Sequence, residues 1–583
     1  MPDVVGNNQG NTPDSAQRRW AAGIASVALL LTFIPYLIGL SFAGDRKFLW
    51  LGYNLDDSCV YLSWMRQAAA GSAHALNMFT VDAQHGMSMN PLFFVMGGLS
   101  GLLHVPLPIA YHIFRILFGA LLLFCVWRLI ELSTENSRSR KLAFLFVCFS
   151  AGFGWIPGLW PAPIDAWQPE AITYLSLYLS PLFAFSLAMQ ALSVVLLLRS
   201  VAAGGKQGIY FAIQSGFCVF ALGLTHTYDV VTMYAVFGAI AVTMSFRGAA
   251  LLKRAWGYAV LAGAVGLPSV LYIYHQLQIE KIFHARMEVK TASGPIINLV
   301  LGLGLPLLFA IVSTAAALRM YRKEAALSTV GVRVALGAWI LANIAVSYLP
   351  VEAFPFQRKM LQGVHIPVAI LGGIGAAGIL QRWLTNSPRR LYLAAAGSLV
   401  ALTSVTNVRF MLRDMESFEI DQIQTTHMHR PYINPGEVDA LAWLEKNTSE
   451  SDAIQPIPWV AASGSQFGPI DMTLACILPG AIHRKVYCGH WGETPAYQEK
   501  LSSLVRIGLP PERMPEAARE ALVRSMNVKY LVFSQKPADA SAGSGDDAAQ
   551  KLMPIFTGQL PLPSWLSRVY TNKTVDIYKV ELP

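Results

Sequence analysis

Charged residues are scarce in this chain. Of its 583 residues, only 14% are Asp, Glu, Lys or Arg, whereas 54% are hydrophobic. A soluble domain has about 25% charged residues, so the composition excludes a purely soluble protein. The hydrophobic residues form long runs separated by short basic loops, which predicts that most of the chain is embedded in a membrane.

Basic runs and nucleotide-binding motifs are also lacking. The formal net charge is +9, but Lys and Arg occur singly or in small clusters beside hydrophobic segments, without an interleaved aromatic stripe. This distribution excludes nucleic acid as a partner. The sequence contains no GxxxxGK[ST] motif and no GxGxxG after a strand, so nucleotide hydrolysis and nicotinamide chemistry have no support.

The six cysteines show no CxxC motif and no His/Cys spacing typical of a metal site, which argues against structural zinc. For Cys476 and Cys488 two interpretations stay open. They form a disulfide if their segment faces an oxidising compartment, or they are two buried free thiols.

The hydrophobic segments predict a polytopic α-helical membrane protein with about eleven transmembrane helices. These segments lie at 20–42, 107–130, 141–157, 173–199, 209–224, 230–246, 255–275, 295–318, 333–349, 362–381 and 391–409. Residues 1–19 are predicted to form a disordered cytoplasmic N-terminus, residues 20–409 the transmembrane domain, and residues 410–583 a soluble extracytoplasmic α/β domain. The apolar segment 91–104 is too short to cross, and we expect a re-entrant or interfacial helix there.

The basic residues predict the orientation. Every loop that this arrangement places in the cytoplasm contains Lys or Arg, whereas the outer loops 158–172 and 225–229 contain neither. The N-terminus is therefore predicted inside, and an odd number of spans places the tail outside. Within the tail we expect helices at 437–446, 496–505 and 516–526, strands at 528–534, 567–570 and 575–580, and a flexible loop at 538–547.

An acidic pair, Asp56 and Asp57, lies in the large first outer loop, residues 43–90. It precedes an amphipathic segment that ends at Gly71, which predicts a helix on the membrane surface with both carboxylates at its first turn. The apolar face comprises Val60, Tyr61, Trp64, Met65 and Ala68, and the polar face comprises Ser63, Arg66 and Gln67. The pair either caps the helix or supplies a general base, with the second carboxylate holding the acceptor or a divalent cation such as Mg²⁺ or Mn²⁺.

Further polar side chains are predicted at the same outer boundary, where their desolvation cost makes them functional candidates. They are His226, Tyr228 and Asp229 between two spans, Asp165, Glu170, His275 and Glu280 in outer loops, and Arg358 and Lys359 beside three aromatic or proline residues. Arg358 and Lys359 either snorkel to lipid head groups or bind a phosphate. For His226 a purely structural role is the alternative.

In the tail, the segment 487–494 is dense in groups that suit a sugar or a polar acceptor: the indole of Trp491, the imidazole of His490 and the carboxylate of Glu493. A tight turn with a buried Trp is the alternative. We assign His226, Tyr228, Asp229, His490, Trp491 and Glu493 to binding of the acceptor or the sugar.

The predicted features are a first span that starts in the cytoplasm, the acidic pair Asp56–Asp57 before an interfacial helix, about ten further spans, and a tail on the same side of the membrane as the first outer loop. With these features, the chain resembles the GT-C superfamily of integral-membrane glycosyltransferases. That class includes protein O-mannosyltransferases and bacterial lipid A aminoarabinose transferases. The tail segments 440–445, 487–494 and 569–578 are similar to those of uncharacterised bacterial members.

The resemblance implies a glycosyltransferase of the bacterial plasma (inner) membrane. Such an enzyme moves a sugar from a polyprenyl-phosphate-linked donor to a glycan, lipid or protein acceptor on the extracytoplasmic face, with inversion. Asp56 or Asp57 then matches the catalytic base, and charge and location place Arg358 and Lys359 at the donor phosphate. The metal requirement is not implied, because members differ in it.

Two other classes stay open. A transporter or flippase of a lipid-linked or envelope precursor would show mid-span charges and broken helices related by an internal repeat. In a non-catalytic membrane scaffold, the acidic pair would be only a helix cap.

Overall fold

The computed structural model describes residues 15–284, 290–321, 323, 328–424, 428–460, 470–534 and 553–581. The chain divides into two compact units. Unit 1 comprises Met1–Ile34, His112–His275 and Lys290–Leu412, and unit 2 comprises Pro35–Tyr111, Gln276–Val289 and Arg413–Pro583. The predicted first outer loop and the tail therefore belong to the same unit.

The helices before residue 420 follow the hydrophobic segments. They are α1 (Ser15–Leu31), α2 (Ile34–Ser41), α3 (Leu55–Ala69), α4 (Pro91–Leu103), α5 (Leu107–Ser133), α6 (Ser137–Phe149), α7 (Thr173–Leu179), α8 (Pro181–Ala203), α9 (Gly205–Thr225), α10 (Asp229–Ser245), α11 (Ala249–Ile279), α12 (Ile296–Tyr321), α13 (Thr329–Val346), α14 (His365–Trp383) and α15 (Arg389–Glu419). Helix α1 begins at Ser15, inside the segment predicted to be disordered, and residues 1–14 lie outside the described part.

Within the described residues, nine helical segments are long and apolar enough to cross a membrane. They are Ser15–Ser41, Leu107–Ser133, Pro181–Ala203, Gly205–Thr225, Ala249–Ile279, Ile296–Tyr321, Thr329–Val346, Gln357–Trp383 and Arg389–Glu419. This supports a polytopic helical membrane protein. The other two predicted spans correspond to α6 and α10, which have 13 and 17 residues and fall short of the roughly 20 residues that the hydrocarbon core requires.

The predicted span 173–199 is interrupted. Ser180 is extended and its hydroxyl accepts the amide N–H of Leu182 at 3.2 Å, so it caps α8, which begins with Pro181. A proline at the first position of a helix loses no intrahelical hydrogen bond, which explains why the chain restarts there. The segment therefore forms the short helix α7 and the long helix α8.

Small residues let the helices of unit 1 approach closely. A Cβ atom at Gly373 of α14 would lie 2.3 Å from the Cα of Ala143 in α6, and one at Gly375 would lie 2.3 Å from the carbonyl oxygen of Phe309 in α12. Between α8 and α9, Ser193 and Ser215 exchange hydrogen bonds through their hydroxyls, which lie 2.9 Å apart. Close backbone contact and interhelical hydrogen bonds of this kind stabilise helices in a medium without a hydrophobic effect.

In unit 2, α3 packs against α4 through glycines. A Cβ at Gly97 of α4 would lie 2.3 Å from the carbonyl oxygen of Met65, and Gly101 is similarly close to Ala69. Most of the predicted polar face of α3 does not face water: Ser63 and Gln67 are buried, and the Gln67 amide makes hydrogen bonds with both backbone groups of Leu76. Arg66 alone of the three stays part-exposed, in an ion pair with Glu445. The expected surface helix is thus largely enclosed by its own unit. The predicted short helix at 91–104 is confirmed as α4.

The predicted elements of the tail are confirmed. The helices are α16 (Pro435–Asn447), α17 (Thr473–Ile482), α18 (Tyr497–Ile507) and α19 (Glu516–Met526). The strands of the chain are β1 (Lys47–Phe48), β2 (His74–Ala75), β3 (Met87–Ser88), β4 (Ile423–Gln424), β5 (Met428–His429), β6 (Tyr432–Ile433), β7 (Ile454–Pro456), β8 (Trp459–Val460), β9 (Ile470–Asp471), β10 (Tyr530–Ser534), β11 (Leu566–Thr571) and β12 (Val575–Val580). Helix α17 and the short strands β4 to β9 of the tail were not predicted, and the predicted flexible loop 538–547 lies outside the described residues.

The main sheet has the order β11-β12-β10-β7, with β7 parallel to β10 and the other pairs antiparallel. Side chains of β10 alternate between its faces: Val532 joins a core with Ala440 of α16 and Leu478 of α17, whereas Phe533 joins one with Leu504 and Val523 of α18 and α19. Alternation of this kind buries both faces of the central strand. Strand β1 of the first outer loop pairs with β6 of the tail, so the two segments share backbone hydrogen bonds.

A buried ion-pair network fixes the start of α16. Arg430 bonds both carboxylate oxygens of Glu437 and contacts Asp471 at 2.6 Å. Burial lowers the pKa of Arg430, but Asp471 and Glu437 raise it well above its ordinary value. Glu437 also completes a capping box with Asn434. These partners account for the charges, and the network is structural.

Candidate functional site

The acidic pair lies in the first turn of α3, as predicted. Asn54 is the N-cap residue, and Asp56 and Asp57 follow at the second and third helical positions. Neither aspartate is therefore the cap, although both lie where the helix dipole favours a negative charge. The side-chain amide of Asn54 donates to Asp57 Oδ2 at 3.0 Å.

The two carboxylates differ sharply in their surroundings. Asp56 is 3% exposed. Its Oδ2 accepts the indole N–H of Trp491 at 2.9 Å, and its Oδ1 accepts the backbone N–H of Asp57 at 3.0 Å. Asp57 keeps a side-chain exposure of 37%. Asp56 is thus held as an internal acceptor, whereas Asp57 presents a carboxylate that a substrate can reach.

His490 stands opposite Asp57. Its Nε2 lies 3.3 Å from Asp57 Oδ1, within ion-pair distance but without the alignment of a good hydrogen bond. Its Nδ1 accepts the backbone N–H groups of Gly492 and Glu493 at 3.0 and 3.1 Å. Because Nδ1 is an acceptor, the ring proton sits on Nε2 and faces the carboxylate.

The charge state of His490 depends on its acidic neighbours. Burial lowers the pKa of His490, but Asp57, Asp56 and Glu493 outweigh burial and raise that pKa above its ordinary value. The two backbone donors at Nδ1 oppose protonation of that nitrogen. In either charge state, Nε2 carries a proton and lies 3.3 Å from Asp57 Oδ1.

The turn that carries His490 is fixed by the first outer loop. The side-chain amide of Asn77 donates to the carbonyl oxygen of Glu493 at 2.7 Å. The hydroxyl of Thr494 donates to the carbonyl oxygen of Phe79 at 2.8 Å. The indole of Trp491 stacks on the imidazole of His490. The segment is therefore a turn whose Trp491 and His490 contact the acidic pair, and its binding of a sugar or acceptor stays a prediction.

A second histidine, His429, was missed. It is 2% exposed and its Nδ1 accepts no hydrogen bond from the described residues. Burial lowers the pKa of His429, the charges of Asp56 and Asp471 act in the opposite direction, and His490 lowers it further. His429 is therefore close enough to Asp56 and His490 for their charges to act on it. Its only sequence signal was a lone histidine near the start of the tail.

Unit 1 contains the other predicted site residues. His226 Nδ1 lies 2.9 Å from Asp229 Oδ2, and the hydroxyl of Tyr228 contacts His226 Nε2. The ammonium of Lys359 lies 5.4 Å from the centre of the Tyr228 ring. These four residues form one group, which we call the tyrosine–histidine group.

Arg358 lies beside the outer loop of the same unit. Its guanidinium carbon is 5.3 Å from the centre of the Trp167 ring, and its Nε is 4.0 Å from Glu170 Oε1. One third of the side chain stays exposed. The long distance to Glu170 leaves the guanidinium able to bind an anionic oxygen.

Two other predicted candidates have structural partners. Asp165 is buried and accepts the backbone N–H groups of Gly152 and Gly154, and burial raises its pKa to about 6. The carboxylate of Glu280 accepts the backbone N–H groups of His85 and Gly86. Each carboxylate holds a loop in place, so neither needs a ligand to explain it.

Cys476 and Cys488 are buried free thiols rather than a disulfide, and so are the other four cysteines. In the part of the chain that the structure covers, no group of three or more His, Cys, Asp or Glu side chains is arranged to hold a metal ion. The divalent cation stays a prediction.

Comparison of the chain with protein-family models and with curated proteins finds no match. The residues themselves therefore have to support any functional assignment.

Proposed function

We propose that this protein is a membrane glycosyltransferase that moves a sugar from a polyprenyl-phosphate-linked donor to an acceptor hydroxyl, with inversion at the anomeric carbon. The observation that carries the proposal is the environment of Asp57. An exposed carboxylate, fixed on the first turn of a buried helix by Asn54 and faced by His490, is suited to take a proton from a hydroxyl.

The two aspartates receive different roles. Asp57 is the general base, because it is the accessible member of the pair. Asp56 is a positioning residue that holds the indole of Trp491. The aromatic face of Trp491 then offers a surface for an acceptor or sugar ring, with the carboxylate of Glu493 in the same turn.

The donor's phosphate is assigned to Arg358 and Lys359. A lipid phosphate leaves as an anion, and a nearby guanidinium stabilises the charge that develops on it. The exposed third of the Arg358 side chain and its distant carboxylate partner support this assignment. The sugar, the acceptor class and a divalent cation are not specified by these contacts.

The proposed setting is the bacterial inner membrane, with N-terminus in the cytoplasm and tail in the periplasm. The nine apolar helices support the membrane part of this proposal. A lipid-linked donor then reaches the enzyme from the bilayer and requires no nucleotide site.

Substitution of the acidic pair tests the proposal. Asp57→Asn should lower kcat by about 100-fold or more, because an amide cannot accept the proton, while the KM for donor changes little. Asp45→Asn, at an exposed aspartate of the same loop, is the matched control. Transfer from a labelled polyprenyl-phosphate sugar is measured in detergent or vesicles, with thermal unfolding recorded in parallel. Near-normal kcat for folded Asp57→Asn would exclude Asp57 as the base.

A transporter or flippase is the second candidate, because α12 is broken at Gly304, where φ is 49° and ψ is −137°. Broken helices in transporters expose backbone carbonyls to ions or substrate. Here the carbonyl of Leu301 accepts the N–H of Phe153 at 2.9 Å, so the protein satisfies it internally. In vesicles, movement of intact labelled donor without a new glycoside would favour the transporter.

A further inference from the structure

A short turn between α9 and α10 presents three chemically different side chains together. Helix α9 ends at Thr225, His226 is its C-cap residue, and Tyr228 is the N-cap residue of α10. Backbone hydrogen bonds fix the turn: the N–H of His226 donates to Leu222 and that of Asp229 donates to His226. The order of phenol, imidazole and carboxylate in space is therefore set by the backbone.

The three side chains contact one another in a line, from the half-buried Tyr228 to the fully buried Asp229. Tyr228 is half-buried, whereas the side chains of His226 and Asp229 are 4% and 0% exposed. The Tyr228 hydroxyl contacts Nε2 of His226, and Nδ1 of His226 contacts Asp229 Oδ2. A buried carboxylate behind an imidazole fixes its orientation and stabilises its protonated form.

The carboxylate of Asp229 accepts fewer hydrogen bonds than its two oxygens allow. Gln362 Nε2 donates to Asp229 Oδ2 at 3.4 Å, while Asp229 Oδ1 has no hydrogen-bond partner among the described residues. On the other side, Phe183 of α8 covers the His226 ring by an edge contact. At the Tyr228 end of the line, the ammonium of Lys359 lies 5.4 Å from the centre of the phenol ring.

We propose that the tyrosine–histidine group is a proton relay in which Tyr228 protonates the departing phosphate and His226, oriented by Asp229, resupplies Tyr228. This inference rests on the proposed function. Lys359 beside the phenol ring favours an anionic oxygen at that end of the relay. Tyr228 is thus a catalytic residue, whereas His226 and Asp229 are positioning residues that act through it.

The proton balance of the step is complete. The bond between the anomeric carbon and the phosphate oxygen breaks, and that oxygen takes the Tyr228 proton as the phenol oxygen takes the Nε2 proton of His226. The proton that His226 gives up is replaced from solvent through the half-buried Tyr228 hydroxyl, and the general base returns its proton to solvent, so no net proton is consumed. The acceptor oxygen forms the new bond to the anomeric carbon and gives its proton to the general base of the proposed function.

The test varies the acidity of the phenol. In place of Tyr228, fluorotyrosines of increasing acidity should change kcat progressively, because proton donation depends on acid strength, and Tyr228→Phe should lower kcat by about 100-fold. The same substitutions at Tyr234 are the matched control, since its hydroxyl donates only to a backbone carbonyl, that of Gly263. A flat series at Tyr228, or equal effects at the two tyrosines, would overturn the relay.

A double substitution tests the positioning residues. His226→Gln should lower kcat more than it changes the KM for donor, and it should add little to the loss in Tyr228→Phe because both act on one proton. Independent, additive losses would mean that His226 is only structural and would overturn its place in the relay. If the wild-type protein transfers no sugar from any polyprenyl-phosphate donor, the proposed function fails and the relay fails with it.

Discussion

The guanidinium of Arg358 is the single side chain on which the assignment of the donor phosphate depends. Arg358→Ala should raise the KM for the polyprenyl-phosphate donor about tenfold or more, since a charge-assisted hydrogen bond contributes about 1.5–3 kcal/mol. The measurement is the dependence of initial rate on donor concentration.

The control for this substitution is Arg390→Ala, at an exposed arginine near the start of α15. It should leave the donor KM unchanged. An unaltered KM in Arg358→Ala as well would support the other interpretation, in which Arg358 only snorkels to lipid head groups.

Residue type alone does not separate Asp56 from Asp57. They are adjacent and chemically identical, yet Asp56 is buried against Trp491, whereas Asp57 lies 3.3 Å from His490 and keeps a side-chain exposure of 37%. Burial and hydrogen-bond partners decide which carboxylate can exchange a proton with a substrate. The same reasoning separates Asp165, which holds a loop, from Asp229, which holds a histidine.

Helix α3 positions the acidic pair, and its contact with α4 depends on Gly97. A side chain at Gly97 would collide with the Met65 carbonyl, because a Cβ atom there lies 2.3 Å from that oxygen. Gly97→Val should therefore destabilise the protein by about 1–3 kcal/mol through overpacking. Thermal unfolding in detergent measures the change.

The adjacent Gly98 provides the matched control, since a Cβ atom there has nothing within 4 Å. Gly98→Val should leave the unfolding temperature nearly unchanged. If the two valine variants unfold at the same temperature, the close contact between α3 and α4 does not hold in the protein as it exists.

For the molecule as a whole, the side of the membrane reached by the tail depends on whether the number of crossings is odd or even. Nine crossings, or eleven with α6 and α10, place the tail opposite the N-terminus, whereas ten place it on the same side. The basic loops favour eleven crossings, because with that number they all lie inside.

We therefore expect alkaline phosphatase fused after Asp421 to be active in the periplasm and the same fusion after Asn386 to be inactive. Fluorescent-protein fusions at both positions should give the reverse pattern. Activity of the phosphatase only after Asn386 would place the tail in the cytoplasm and remove the proposed donor from its side of the membrane.

Local patterns predicted much of the fold. Of the about eleven spans predicted from hydrophobic length, nine correspond to helices long enough to cross a membrane among the described residues. Alternation of apolar and polar residues predicted β10 and β12, whose side chains face two different cores. Helix α17 was missed because it is apolar on most sides and is enclosed by the rest of unit 2. Its sequence also has no charged residue to mark a polar face, and Pro479 inside it argues against a helix.

The candidate site was predictable as separate parts. The acidic pair and the segment 487–494 were both recognised by residue type, but the hydrogen bond between Asp56 and Trp491 joins positions 435 residues apart. His429 had no signal beyond its own identity, since its proximity to the carboxylates arises from the tertiary structure.

The amino-acid sequence by itself determined that helices long and apolar enough to cross a membrane precede a small α/β tail, because hydrophobic length and alternation are properties of neighbouring residues. Only the tertiary structure decided which aspartate is accessible, that His490 faces it, and that Tyr228, His226 and Asp229 form a line. Burial and hydrogen-bond geometry depend on residues far apart in the chain, and no local pattern encodes them.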